Sequence, residues 1–213
     1  MTEVTLNGGQ ESSILVGGTD NDTLLGSSGN DIVTDLGGDN FLFGDAGDDI
    51  LTGAGGNDTI RGGPGNDIVV GLGGNNSLFG SMGDDTLTGG GIAFVNNALL
   101  VTADTTGIDT LTGEEGADRF VLGGDPGPEP GSTAPPVIHY DSAGNSDYAV
   151  ITDFDSSQDV IQLGGSKNDY RLGSSLSGLP TGTAIYLQDE LIAIVQGSSD
   201  LSLSASYFQG SVG

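Results

Sequence analysis

The chain has 213 residues, of which 40 are Gly and one is His; it has no Cys, and 30 acidic residues oppose four basic ones for a formal net charge of −26. This composition excludes a disulfide framework and thiolate or multi-histidine metal centres. It also lacks the basic footprint that nucleic acid or an anionic membrane surface requires.

Self-repulsion and glycine entropy both oppose folding of such a chain. Yet 35% of its residues are hydrophobic, and their spacing is regular. A cationic component of the fold is therefore expected. Carboxylates and carbonyls are the oxygen donors at hand, and these hard ligands suit Ca²⁺. No apolar run approaches the length of a membrane span. The opening MTEVTLNGGQ lacks the basic and apolar regions of a cleavable signal peptide, which points to the cytosol or to export through another signal.

From Gly8 onward a nine-residue step repeats: Gly8, Gly17, Gly26, Gly44, Gly53, Gly62, Gly71, Gly80 and Gly89, with Asp35 in the one missing slot. Position four is Gly from Gly29 to Gly83, and position five is Asn or Asp from Asn21 to Asp84. Position six is Asp or Asn, and position eight is aliphatic: Leu15, Leu24, Val33, Leu42, Leu51, Ile60, Val69, Leu78 and Leu87. The position-eight residue reads as the inward side chain of a very short strand, its neighbours facing out. Positions one to six read as a turn, with Gly and Asn supplying positive φ. A nine-residue step is half a coil, so residues 18 apart stack on one side at a spacing of about 4.8 Å. Stacked position-six carboxylates would repel unless a cation lay between them.

Units such as GDAGDDILT (44–52) and GGPGNDIVV (62–70) resemble the hemolysin-type calcium-binding repeat of secreted RTX proteins. The resemblance covers residues 8–121. It implies an all-β protein, a right-handed parallel β-roll with two short strands per coil and Ca²⁺ between stacked loops. Main-chain carbonyls of positions one, three and five would join the position-six side chains as ligands. Those side chains are Asp22, Asp31, Asn40, Asp49, Asp58, Asp67, Asn76, Asp85, Asp109 and Asp118, holding about four to eight ions. Odd units place Asp31, Asp49, Asp67, Asp85 and Asp118 on one edge, a row expected to be fully occupied. Even units alternate Asp22, Asn40, Asp58, Asn76 and Asp109 on the other, expected to bind more weakly.

The unit beginning at Gly89 is split by an insert, residues 92–106, whose Asn96-Asn97 pair suggests a hairpin; an edge-covering loop is the favoured reading. GGQESSILV (8–16) and GEEGADRFV (113–121) depart from the pattern as terminal caps do. Outward columns carry Ile14, Ile32, Ile50 and Ile68 on the odd sheet, and Phe41, Phe43 and Phe79 on the even one. Coverage by the C-terminal region is the favoured reading; a homodimer through this Ile/Phe ladder or the insert is the alternative.

Residues 123–136 form a Pro/Gly-rich connection between the roll, 1–122, and a β-rich cap, 137–213. Strand-like runs are expected at 148–154, 159–163, 183–187 and 191–195, the last two joined by Gln188-Asp189-Glu190. VITDFDSSQDVIQL (150–163) and DLSLSASYF (200–208) resemble the tails of secreted RTX proteins. That resemblance implies a cap and an uncleaved signal for the type I secretion machinery, hence a secreted, extracellular protein. Asp153 and Asp159 read as turn-satisfying rather than ion-binding. Zincin, nucleophile-elbow and P-loop motifs are absent, and His139 reads as a surface residue. The expected role is non-catalytic: structural, adhesive or at a surface. The alternatives are the exported C-terminal module of a larger enzyme or toxin, and a glycan-binding module.

Overall fold

The computed structural model describes residues 5–90, 93–95, 98–100, 107–124, 137–138, 140 and 146–210. Asn96, Asn97 and His139 lie outside these. So does all but the first two residues of the connection at 123–136.

Two long sheets run the length of the described chain. One takes the even-unit strands Thr23–Ser28, Phe41–Ala46, Thr59–Pro64, Ser77–Met82 and Ile108–Glu115, preceded by Thr5–Gly9. The other takes the odd-unit strands Ile14–Val16, Ile32–Thr34, Ile50–Thr52, Ile68–Val70, Thr86–Thr88 and Arg119–Val121. All these neighbours pair in parallel, with Leu24 opposite Leu42 and Val33 opposite Leu51. Each chain step thus crosses from one sheet to the other, which makes the expected parallel β-roll.

Position eight forms the core. Leu24, Val33, Leu42, Leu51, Ile60, Val69, Leu78, Leu87, Leu111 and Phe120 are all 0% exposed and share one cluster across both sheets. Burying each such side chain contributes about 1.5–3 kcal/mol, so the roll gains one such increment per nine residues. Leu15, on the first odd strand, is slightly less buried.

The two sheets differ in strand length. Odd strands cover only positions seven to nine. Even strands continue through positions one to three of the next loop, as in Phe41–Ala46. Those loop positions were expected to be turn. Their carbonyls and amides instead join the ladder, with Ser27 opposite Asp45 and Gly63 opposite Ser81. Position two of these loops turns left-handed, at Ser27 (φ 86°), Asp45 (φ 67°) and Ser81 (φ 103°).

The split unit aligns as expected. Thr110 and Leu111 pair with Ser77 and Leu78, and Thr86 and Leu87 pair with Arg119 and Phe120. Within the insert, Ala93–Val95 and Ala98–Leu100 pair antiparallel.

Beyond residue 146 both sheets simply continue. Tyr148–Ile151 adds to Ile108–Glu115, and Val160–Gln162 adds to Arg119–Val121, both in parallel. Glu190–Gln196 and Phe208–Gln209 extend the same two sheets once more. Only then does the order reverse: Gly182–Leu187 and Tyr170–Ser174 close the longer sheet in antiparallel fashion. The hairpin between the last long strands turns on Gln188-Asp189 alone, because Leu187 already pairs with Glu190, and Gln188 takes φ 56°. Inward residues Ala149, Ile151, Ile161, Ala193 and Phe208 prolong the position-eight core.

The outward ladder is uneven. Ile14 and Ile32 are exposed at 74% and 41%, whereas Ile50 and Ile68 are half-buried. Phe41 is exposed, but Phe79 lies under the Arg61 guanidinium, 5.0 Å from its ring centroid.

Candidate metal centre: the loop edges

Each loop position has one structural cause. Position-four glycines are left-handed, for example Gly47 at φ 136° and Gly65 at φ 145°. A Cβ there would also overlap the carbonyl of the glycine one coil back: Gly29 for Gly47, Gly47 for Gly65. Any side chain would be both strained and obstructed.

Position five is not left-handed at any described unit, contrary to the sequence-based expectation. Its side chain instead builds a hydrogen-bond ladder. Asn30 Oδ1 accepts from the Asp48 amide (3.1 Å), and Asp48 Oδ1 accepts from the Asn66 amide (2.9 Å). The other edge repeats this, with Asn21 accepting from Asp39 and Asp39 from Asn57. An Asn or Asp oxygen is needed there for the bond, not for the backbone angle.

Position six forms a second ladder in the opposite direction. Asp49 Oδ1 accepts from the Asp31 amide (2.7 Å), Asp67 Oδ1 from Asp49 (2.8 Å) and Asp85 Oδ1 from Asp67 (2.7 Å). On the even edge Asn40 Oδ1 accepts from Asp22, Asp58 from Asn40, Asn76 from Asp58 and Asp109 from Asn76. The ladder then passes from Asp85 to Asp118 and from Asp118 to Asp159. Thus all ten expected site residues lie in two buried files, one per edge. None exceeds 2% exposure.

From Asp31 onward the ladder uses one carboxylate oxygen of each Asp. The other decides the chemistry. Oδ2 of Asp31, Asp49, Asp58, Asp67 and Asp85 is buried with no hydrogen-bond partner. Each lies inside its own loop, against the position-one glycine; a Cβ on Gly44, Gly53, Gly62 or Gly80 would collide with it. A carbonyl from the next coil faces the same space: Gly44 O at Gly26, Gly62 O at Gly44 and Gly80 O at Gly62. Two acceptors therefore converge with no proton to share. Such a pair costs several kcal/mol to bury unless a cation or proton joins it. The residues present fit Ca²⁺, which takes six to eight hard oxygens from carboxylates and carbonyls. Among the described residues no group of three or more Asp, Glu or His side chains converges, so main-chain oxygens would complete any ligand set.

The electrostatics point the same way. Burial, with neighbouring carboxylates adding, pushes Asp67 and Asp85 up to about 7, and Asp49 and Asp118 up to about 6. Asp58 is likewise pushed up to about 6, chiefly by burial. The ion pairs found among the described residues, Arg61–Glu114 and Arg171–Asp189, lie on the outside.

The even edge departs from this scheme in three places. Asn40 Nδ2 donates to Gly38 O and Asp58 Oδ1, and Asn76 Nδ2 donates to Leu72 O. There an amide hydrogen occupies the space that an unpartnered oxygen has on the odd edge. Asp109 Oδ2 accepts from the Tyr140 hydroxyl at 3.0 Å. Asp153 and Asp159, read from sequence as turn residues, each take two backbone donors: Gly113 and Glu114 for Asp153, Asp118 and Asp155 for Asp159. The position-five ladder and Tyr140 went unforeseen; the invariant Asn/Asp column was the signal for the first.

Coils closed by loops that bury unpartnered carboxylate oxygens, on a parallel β-roll, define a calcium-binding nonapeptide-repeat fold. A family model described as RTX calcium-binding nonapeptide repeat (4 copies) matches residues 5–33, 26–60, 34–69, 61–91 and 103–126, more than half of the chain. The chain belongs to this family. No curated protein matches it. Twelve chains of solved structures do. One is the crystal structure of extracellular lipase LipA from Serratia marcescens, at 16% identity and a TM-score of 0.29 over 100% of this chain. The chain spans 40% of the length of that lipase chain.

Proposed function

We propose that this is a secreted protein that folds as it binds several Ca²⁺ ions outside the cell, with a structural, adhesive or surface role and no catalytic one. The observation that carries this reading is the file of buried, unpartnered Oδ2 atoms at Asp31, Asp49, Asp67 and Asp85, with Asp58 on the other edge. With a net charge of −26, a calcium-poor cytosol leaves the chain without the counter-charge that compaction needs. Extracellular calcium binds only the folded loops and drives folding by mass action. Modules of this kind typically bind at about 10⁻⁴ to 10⁻³ M.

Position-six side chains are the metal ligands in this reading, together with main-chain oxygens of the loops. The odd edge binds more tightly than the even one, because Asn40 and Asn76 present an amide hydrogen where Asp presents a lone pair. The C-terminal region ends the roll and carries the signal read by type I secretion machinery.

The test is circular dichroism and gel filtration of EDTA-stripped protein before and after calcium is added. A transition from an expanded, disordered chain to a compact β protein is expected. A compact β fold in EDTA at neutral pH, unchanged by calcium, would overturn the reading.

A further inference from the structure

Asp35 occupies the position-one slot that is Gly in every other repeat loop from Gly8 to Gly113. It lies on the even edge, five residues before Asn40 in the same loop. Its side chain does not point to solvent: it is 1% exposed, and its Oδ2 has no hydrogen-bond partner. Oδ1 accepts a long bond from the Gly37 amide, at 3.4 Å. The side chain reaches one coil back, into the space beside Gly17. A Cβ on Gly17 would collide with Asp35 Oδ2 and would lie 3.1 Å from Asp22 Oδ2. Asp22 Oδ2 in turn accepts from the Gly18 amide at 2.7 Å.

At Gly26, Gly44, Gly53 and Gly62 the corresponding space is faced by one carboxylate and one carbonyl. Beside Gly17 it is faced by two carboxylates. Two buried carboxylates that face one space are costly to bury without a counter-charge between them.

On the odd edge each gap from Asp31 onward is bracketed by two position-six acids. On the even edge the gap between Asp22 and Asn40 has only one. Asp35 supplies the missing charge from a different loop position.

We propose that Asp22 and Asp35 together form a divalent-cation site at the N-terminal end of the even edge, with Asp35 taking over the charge that Asn40 lacks. The site takes a hard cation of the Ca²⁺ class, because its donors are carboxylate oxygens. It rests on the reading of the loops as calcium sites, but adds a ligand outside the nonapeptide pattern. The first gap of the even edge then binds like an odd-edge gap, unlike the gaps further along it.

Native mass spectrometry of the full chain in calcium counts the ions. Asp35→Gly installs the residue the other loops carry, so the roll is retained; it is expected to bind one Ca²⁺ fewer than the unsubstituted chain. Asp35→Asn, which keeps the shape, is expected to lose the same ion. Adding Asn40→Asp to Asp35→Gly returns the acid to position six and is expected to restore the count. An unchanged ion count in Asp35→Gly or Asp35→Asn overturns the site, as does failure of the double variant to recover the ion. Absence of bound calcium from the unsubstituted chain would instead overturn the reading of the repeats themselves.

Discussion

Tyr140 donates its hydroxyl to Asp109 Oδ2 over 3.0 Å, and both side chains are buried. Asp109 is thus a position-six acid whose two oxygens are both hydrogen-bonded, one by the Asn76 amide and one by Tyr140. Burial pushes Asp109 up to about 7, and burial beside this acid pushes Tyr140 far above the usual phenol range. A neutral donor here does locally what a cation would do in the odd file. Removing it strands a buried oxygen. Tyr140→Phe is expected to lower the unfolding free energy in saturating calcium by about 1–3 kcal/mol, read by urea denaturation. A change within error would show that Asp109 finds another partner.

Glycine substitutions separate geometric need from mere composition. Gly47 is left-handed at φ 136°, and a Cβ on it would overlap Gly29 O. Gly55 has nothing within 4 Å of a Cβ and no left-handed φ. Gly47→Ala combines strain of about 1–3 kcal/mol with a backbone collision, and the roll is expected to lose most of its cooperative transition. Gly55→Ala is expected to stay within about 0.5 kcal/mol of the parent, or to gain slightly through the unfolded state. Equal losses in the two variants would contradict the stacked-loop geometry.

The sequence was most readable where one column had one cause. Position eight is buried at every coil from Leu24 to Phe120, because it is the one column that is apolar in every unit. Position four is Gly because φ and the carbonyl one coil away both demand it. Position five was misread, since Asn and Asp suit a left-handed turn as well as a side-chain ladder, and composition does not separate them. The extension of even strands over positions one to three was hidden for a related reason: Gly-Asp-Ala at 44–46 carries no strand propensity and is held by its neighbours' amides. Past residue 146 the coils continue without nonapeptides, because Val160–Gln162 needs only the exposed edge of Arg119–Val121 to pair. Tyr140 gave no sequence signal, being 31 residues from its partner in a region without periodicity.

Asp67 and Asp58 allow the two edges to be compared by like substitutions. Both lie mid-roll, both accept an amide through Oδ1, and both leave Oδ2 unpartnered. Asp67 stands between Asp49 and Asp85, whereas Asp58 stands between Asn40 and Asn76. Removing Asp67 strips a carboxylate from two all-acid gaps. Asp67→Ala is therefore expected to raise the calcium midpoint of folding by about tenfold, equivalent to about 1.4 kcal/mol, and Asp58→Ala by clearly less. Calcium titrations followed by circular dichroism decide this. Equal shifts would mean that carbonyls dominate and that Asn serves as well as Asp.

Acid and calcium should act on the same oxygens in opposite contexts. In the calcium-free roll, Asp67 and Asp85 stand at about 7 and Asp49 and Asp58 at about 6, against about 3.9 in an unfolded chain. Between about pH 4 and 7 the folded state thus holds more protons than the unfolded one. Stability then falls as pH rises through that window, since the slope follows the protons bound by the unfolded state minus those bound by the folded state. Below the unfolded pKa both states are protonated and the penalty of burying charge is gone. Stripped protein at pH 5 is accordingly expected to show more β structure than at pH 8. With calcium the sign reverses: binding needs the ionised acids, so the calcium midpoint should rise as pH falls from 8 to 5. Circular dichroism across both titrations provides the check, and a calcium-free signal that is flat from pH 4 to 8 would mean that the buried acids do not oppose folding.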